Sequence, residues 1–369
     1  CTTFTSVGCQ CPDGVSDTCQ LLPDITISWY ALENYQNGPT EYSQTGNGAN
    51  NGLLRLTGST PNIGYGPLTT VGTDYVLCNG DTLYDPDGLI AVCPDGVTEP
   101  KNLIKQRVYT KNSGTMTYED RWAGAQTYHP THNHFHVDDW GIFTLRMEDP
   151  NNPDTLSWPI VADGAKLGFC LMDYGTCDYY NGHCRDDQNY GKGNVLTSVD
   201  IPNYALGGGQ YSCSPVEQGI SVGYTDIYSE NLDEMWIELP PTLCNGNYWI
   251  IAEVDPLNNF LESNENNNWT AIPITLTQQQ PAGSDVAEID AGTQTICNGN
   301  PLTLAASPGV SYLWSTGETT PTISVADTGK YFVEVSSTCG TAVSDTINIT
   351  ASGTAAMTVL NDTICEGED

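Results

Sequence analysis

The chain of 369 residues carries 11 Lys+Arg against 45 Asp+Glu, a formal charge of −34 with a sequence pI near 4.1. So anionic a surface argues against nucleic acid, whose phosphates demand a cationic footprint, and favours cationic partners such as amines, lysine-rich polypeptides and calcium. No apolar run approaches membrane-spanning length, which argues against a transmembrane segment, while 37 Gly, 22 Pro and 20 Tyr against 6 Phe describe turn-rich β structure.

Fourteen cysteines, mostly spaced rather than clustered as Cys-x-x-Cys, point to disulfides and an extracellular or cell-surface compartment. The N-terminus has no basic-plus-apolar leader, so the chain is expected to be already processed or cut. Length sets an expectation of roughly two to three domains. Residues 1–19 hold Cys1, Cys9, Cys11 and Cys19 among Gly, Thr and Ser, predicting a small disulfide-tied extension without a core of its own. Alternation over 21–29 predicts a first strand. Residues 37–51 read as a polar surface loop, and 52–68 as a strand, a Gly/Pro turn and a second strand. Cys78 and Cys93 flank an Asp/Gly-rich excursion that a disulfide would close.

Short alternating runs continue from 106 to 146. Within them the stretch 128–139, Tyr-His-Pro-Thr-His-Asn-His-Phe-His-Val-Asp-Asp, holds four of the five histidines. Side chains i, i+2 and i+4 of a strand share a face, so His132, His134 and His136 are expected to project together. Three neutral imidazoles suit copper, zinc, iron or nickel; calcium and magnesium are poor fits. His129, ahead of Pro130 and outside the alternation, reads as a surrounding or surface residue.

The run 163–173 predicts another strand, with Lys166, one of six lysines, amid apolar neighbours. A Gly-heavy insertion carrying Cys177, Cys184 and Cys213 follows, then strands at 236–239 and 246–254. Helical periodicity is nowhere convincing, so residues 20–277 are expected to form an all-β sandwich. A linker is placed at 278–284. Beyond it, Thr295-Ile-Cys-Asn-Gly-Asn recurs as Thr363-Ile-Cys-Glu-Gly-Glu 68 residues later. Residues 285–353, with strands at 312–318 and 329–335 around a Trp and bracketed by Cys297 and Cys339, are similar to the immunoglobulin-like β-sandwich modules found in tandem on secreted bacterial proteins. Residues 354–369 would open a second, truncated repeat, with spacing or anchoring as the expected role.

From about 21 to about 277 the chain resembles the lysyl oxidase family, particularly its bacterial members. The matching blocks are Leu53-Leu-Arg-Leu with Pro61-Asn-Ile-Gly-Tyr-Gly-Pro-Leu, Arg121-Trp-Ala-Gly and His129-Pro-Thr-His-Asn-His-Phe-His. They continue with Lys166-Leu-Gly-Phe-Cys-Leu-Met-Asp, Gly219-Ile-Ser-Val-Gly-Tyr-Thr-Asp-Ile-Tyr-Ser and Trp236-Ile-Glu-Leu. The resemblance implies copper on His132, His134 and His136, and a lysine tyrosylquinone cofactor built from Lys166 and Tyr228. Tyr224 is near but falls elsewhere in its block. Oxidising an amine needs an electron sink that no ordinary side chain provides, and the apolar flanks of Lys166 favour the deprotonated amine that must act as nucleophile. A carboxylate is the natural base: Asp226 is the candidate, sharing a face with Tyr228 if the segment is extended, with Asp138 and Asp139 as rivals.

The function implied is a secreted oxidase converting primary amines, lysine side chains of polypeptides among them, to aldehydes with release of peroxide and ammonia. The rival is a non-catalytic structural or adhesive extracellular protein, a filament subunit that self-assembles at a cell surface and keeps the fold and a metal site. Animal members carry a Cys just before the ligand triplet, where this chain has Thr131, and a further His where it has Ile142 or Phe143. The resemblance accordingly pairs Cys170 with Cys177 and leaves Cys184 to Cys213. The oxygen-rich stretch 254–268 is similar to the calcium loop of the lysyl oxidase fold, which assigns calcium to Glu262, Asn264, Asn267 and Asn268 with Asp24 and the backbone of Ile25, tying the first strand to the last.

Overall fold

A computed structural model describes residues 1, 4, 8–45, 48–130, 133–281, 283, 287–296 and 300–351. The fold is all-β, and its one α-helix among the described residues is the six-residue Trp29–Asn34, whose N-cap Ser28 accepts the Ala31 amide. The chain divides into two compact units, Cys1–Leu239 with Tyr248–Ile274, and Pro240–Asn247 with Thr275–Asp369.

In the first unit the largest sheet runs Glu217–Ile220, Leu68–Cys78, Lys101–Asn112, Thr115–His129, His134–Val137, with Thr18–Leu21 and Asp81–Tyr84 added to its long strands. A second sheet orders Ile160–Asp163, Gly141–Arg146, Gly246–Val254 and Trp269–Leu276; two three-stranded sheets centre on Tyr224–Tyr228 and Leu53–Arg55. Leu54, Leu145, Phe169, Ile227 and Ile250 are buried among these layers.

The strand expected over 21–29 is shorter and displaced. The regular strand is Thr18–Leu21; Pro23 lacks an amide to continue the ladder, and beyond it the Thr26 and Ser28 amides donate to the Pro61 and Ser59 carbonyls while those of Asp24 and Ile25 turn to the side chains of Asn62 and Glu262. The run 163–173 is likewise no single strand. It leaves Ile160–Asp163 and bonds to two different neighbours, Ala165 N–H to the Trp236 carbonyl at 3.0 Å and Phe169 N–H to that of Val137 at 3.0 Å.

Six disulfides join the described cysteines, Cys1–Cys9, Cys11–Cys19, Cys78–Cys93, Cys170–Cys213, Cys177–Cys184 and Cys244–Cys339. The Cys78–Cys93 loop is as expected. The pairings Cys170–Cys177 and Cys184–Cys213 are replaced, because Cys170 follows Phe169, which is bound to Val137, whereas the Cys177 amide bonds to the Gly223 carbonyl.

In the second unit Trp314, Leu304, Val333 and Ile349 form the core. Three three-stranded sheets, built on Leu302–Ala306, Ile347–Ala351 and Val333–Ser337, make this unit all-β as expected. The Trp314 indole donates to the Thr320 carbonyl at 2.8 Å. Pro240–Asn247 sorts with this unit rather than with residues 20–277, since Cys244 is bonded to Cys339 and bridges Gln280. Cys297, Cys365 and the repeat opening at 354–369 lie outside the described residues.

Candidate active site

The histidine stretch is a hairpin rather than one strand. Thr115–His129 pairs antiparallel with His134–Val137, placing His129 opposite His134 and Thr127 opposite His136. Asn133 closes the turn at φ 58°, a left-handed conformation that Asn tolerates. His134 and His136 share a face as their alternation demands, with Nε2 atoms 3.0 Å apart. His129, read from sequence as peripheral, joins them: opposed residues of an antiparallel pair face the same way, and its ring stacks on His136 at 4.8 Å. The signal that would have found it is the turn chemistry of Pro130 and Asn133. His132 lies outside the described residues.

Two imidazole nitrogens binding one ion at about 2.0–2.1 Å each must sit about 2.9–3.4 Å apart for angles between square and tetrahedral. The 3.0 Å separation meets that requirement, so the pair fits copper or zinc. His134 also lies near Cys170 and Cys213, but those sulfurs are joined in a disulfide and are no thiolate ligands.

His134, His136, Lys166, Asp226 and Tyr228 line one cavity of about 370 Å³, walled by Met172, Tyr174, Ile227, Leu232 and the Cys170–Cys213 disulfide. The extended Tyr224–Tyr228 strand sets Asp226 and Tyr228 on one face, where the phenol donates to Asp226 Oδ2 at 2.5 Å. The Met172 amide donates to the same oxygen at 3.0 Å, and Oδ1 has no hydrogen-bond partner among the described residues. Burial pushes the Asp226 carboxyl up to about 8, against the pull of these two donors. The Tyr228 phenol is raised well above its ordinary value by burial and by the neighbouring Asp226.

Lys166 is 4% exposed, and its Nζ lies 3.7 Å from Glu234 Oε2 and 5.4 Å from the centre of the Phe169 ring. Burial lowers its pKa, with Glu234 and Asp233 pulling the other way. Phe169 contacts the Tyr228 ring edge-on at 4.5 Å, so it touches both proposed cofactor precursors. Neither Phe169 nor Glu234 stood out in the sequence, since each acts only through a fold-dependent neighbour.

The rival bases are elsewhere. Asp138 and Asp139 line a separate groove of about 560 Å³, where Asp138 pairs with Lys101 at 2.8 Å. Tyr224 packs on Tyr204 at 6.3 Å.

The oxygen-rich stretch brings most of its expected residues together. Asn267 donates to Asp24 Oδ1 at 2.8 Å and Asn268 to Glu262 Oε1 at 2.9 Å, leaving the Oδ1 atoms of both asparagines buried without a hydrogen-bond partner among the described residues. Glu262 also receives the Ile25 amide, so it is the N–H of Ile25 that meets this carboxylate. Asn264 instead turns its carbonyl to the Asn266 amide. Asp255 and Glu265, not singled out from the sequence, bring carboxylate oxygens within 4.8 Å of Glu262. Burial raises Asp255 to about 6 and lifts Glu262 well above its ordinary range. Two orphaned amide oxygens beside three crowded carboxylates are the donor set a hard cation takes.

The lysyl oxidase family model matches residues 94–284, just over half of the chain. The chain belongs to the lysyl oxidase family. It is 30% identical over 165 residues to human lysyl oxidase homolog 1, covering 44% of this chain and 22% of that protein. Chicken protein-lysine 6-oxidase is 29% identical over 174 residues, 47% of this chain and 33% of that protein, and the pig protein 28% identical over 174 residues, covering 47% and 55%. The chain thus spans between about a fifth and just over half the length of these relatives. The N-terminal four Ig domains of Dscam1 align over 80% of this chain and 69% of that one at 11% identity, but a TM-score of 0.18 carries no argument.

Proposed function

We propose that this protein is a secreted, copper- and lysine tyrosylquinone-dependent oxidase of primary amines, lysine side chains of polypeptides among them, yielding aldehyde, peroxide and ammonia. The observation that carries this reading is the single cavity lined by His134, His136, Lys166, Asp226 and Tyr228. It brings two imidazoles, a buried amine, a phenol and a carboxylate to one place, the groups that building a quinone and removing a substrate proton require.

His134 and His136 would hold copper, with His132 as the family's third ligand and His129 against them. Lys166 and Tyr228 would form the quinone, which supplies the electrophilic carbonyl and the electron sink that amine oxidation requires. Met172, Tyr174, Ile227 and Leu232 provide an apolar wall for the alkyl part of an amine and exclude water from it. Asp226 takes the proton from the carbon bearing nitrogen, its unpartnered Oδ1 being the receiving atom. Calcium would occupy Asp24, Glu262, Asn267 and Asn268, with Asp255 and Glu265 completing the charge.

The test is peptide mass spectrometry of the copper-loaded, aerated chain together with peroxide release on adding a primary amine. A Lys166–Tyr228 cross-linked peptide and amine-dependent peroxide are expected; the absence of both would leave a non-catalytic scaffold.

A further inference from the structure

Of the carboxylates around the buried amine of the cavity, with Asp233 adding to the pull on it and Asp226 lining the same space, Glu234 is the one paired with it, and it is held there at a conformational cost. The ion pair between Lys166 and Glu234, at 3.7 Å, is the only one Lys166 makes among the described residues, and its Nζ has no hydrogen-bond partner among them. Backbone registry sets the two residues against each other. Gly164 bridges Ile237, and the Ala165 amide donates to the Trp236 carbonyl at 3.0 Å, so the segment leading into Lys166 is bound to the segment leaving Glu234.

Glu234 itself has φ 62°, in the left-handed region that a non-glycine residue enters only at a cost. A tight turn fixes it there, the Trp236 amide reaching back to the Glu234 carbonyl at 2.7 Å. Across the amine stands Phe169, pinned to Val137 by hydrogen bonds of 3.0 and 2.7 Å and packed on Tyr228 at 4.5 Å. The carboxylate and the apolar ring act on the amine in opposite senses. Burial against Phe169 favours the neutral, nucleophilic form, and Glu234 favours the ammonium, which cannot attack.

We propose that Glu234 is a positioning residue that latches Lys166, its carboxylate holding the amine as an ammonium and so governing when that amine is free to join Tyr228. The latch rests on the reading of Lys166 and Tyr228 as the cofactor pair, but it describes the amine before any bond is made. With 41% of its side chain exposed, Glu234 can swing towards solvent without opening the core.

The metal-free full chain, pulsed with acetic anhydride, reports the latch directly. Acetylation of Lys166 is read by peptide mass against exposed Lys192 in the same molecule. Glu234→Gln is expected to raise that ratio more than about threefold, because the charge that favours the ammonium is gone. Glu234→Gly removes the charge while accepting the left-handed backbone and should match it; Glu234→Asp, which keeps the charge, should stay within about twofold of the parent. A Glu234→Gln ratio equal to or below the parent's overturns the latch, as does a rise in Glu234→Gly alone, which would assign the effect to the turn. A second arm loads copper in air and follows the Lys166–Tyr228 peptide, which should reach its final fraction sooner in Glu234→Gln. If the parent never cross-links while the acetylation ratios hold, the cofactor reading fails, and with it the joining to Tyr228, while the hold of Glu234 on the amine stands. If it cross-links while the ratios stay flat, the latch fails and the reading stands.

Discussion

Tyr228 donates its phenolic proton to Asp226, two places earlier on the same strand, across 2.5 Å. Both groups are buried and both are held largely protonated near neutrality, the carboxyl up to about 8 and the phenol well above its ordinary value. A base with this pKa works only once ionised, so amine turnover is expected to rise with pH along a limb near 8. Asp226→Asn should lower turnover about 10²- to 10⁴-fold, the range of a positioned general base, and abolish that limb. The sign for stability is the reverse. A carboxyl whose folded pKa is raised binds its proton more tightly in the fold, so its ionisation destabilises the fold progressively from about pH 4 to about pH 8. The melting temperature of Asp226→Asn relative to the parent should therefore climb between pH 5 and pH 9.

Copper retention separates the histidines. His134 and His136, with Nε2 atoms 3.0 Å apart, are the pair proposed to hold copper; alanine at either position should leave little copper after dialysis, read by elemental analysis. His129 stacks on His136 at 4.8 Å and faces His134 across the hairpin. If it orients those rings, His129→Ala should weaken copper binding about 10- to 100-fold, the usual cost of losing a group that supports a ligand. Affinity equal to the parent's would return His129 to the surface role its position before Pro130 suggests.

The disulfide exchange has a direct readout. Non-reducing peptide maps should yield Cys170 joined to Cys213 and Cys177 joined to Cys184, with no Cys170–Cys177 peptide. Cys170–Cys213 closes a separation of 43 residues and walls the cavity. Replacing both by serine is expected to cost about 2–5 kcal/mol in denaturant unfolding, the usual loss for a native bridge.

What was legible in the sequence was what strand periodicity encodes. His134 with His136, and Asp226 with Tyr228, each needed only an extended backbone to share a face, and each pair sits on a strand that supplies it. The partners of Cys170, Cys177, Cys184 and Cys213 were not legible, nor was the place of His129, because they depend on where the chain turns. Asn133 at φ 58° reverses the strand and brings His129 round to the others. Glu234 and Phe169 were invisible for a related reason: Glu234 is set by the registry of 164–165 with 236–237 and Phe169 by its pairing with Val137, long-range contacts that no local pattern announces.

Calcium and acidity should compete at the second cluster. Glu262 is lifted well above its ordinary range by burial, with Asp255 and Glu265 adding to the lift. A cation there favours the ionised carboxylates, so binding should release protons and tighten as pH rises. The unloaded fold has the opposite dependence, since a carboxyl with a raised folded pKa loses stability as pH climbs towards that value. Calcium is therefore expected to raise the melting temperature more at pH 8 than at pH 5, by about 2.7 kcal/mol of stabilisation at a hundredfold excess over Kd. Chelation should cancel the effect, and Asn268→Ala, which removes one of the two orphaned amide oxygens, should reduce it. Calcium shifts that are equal at both pH values, or that survive Glu262→Gln intact, would show that the ion binds elsewhere. A shift lost in Glu262→Gln would place it between Asp24 and the 262–268 turn, where Asn267 already joins the two segments by a hydrogen bond of 2.8 Å.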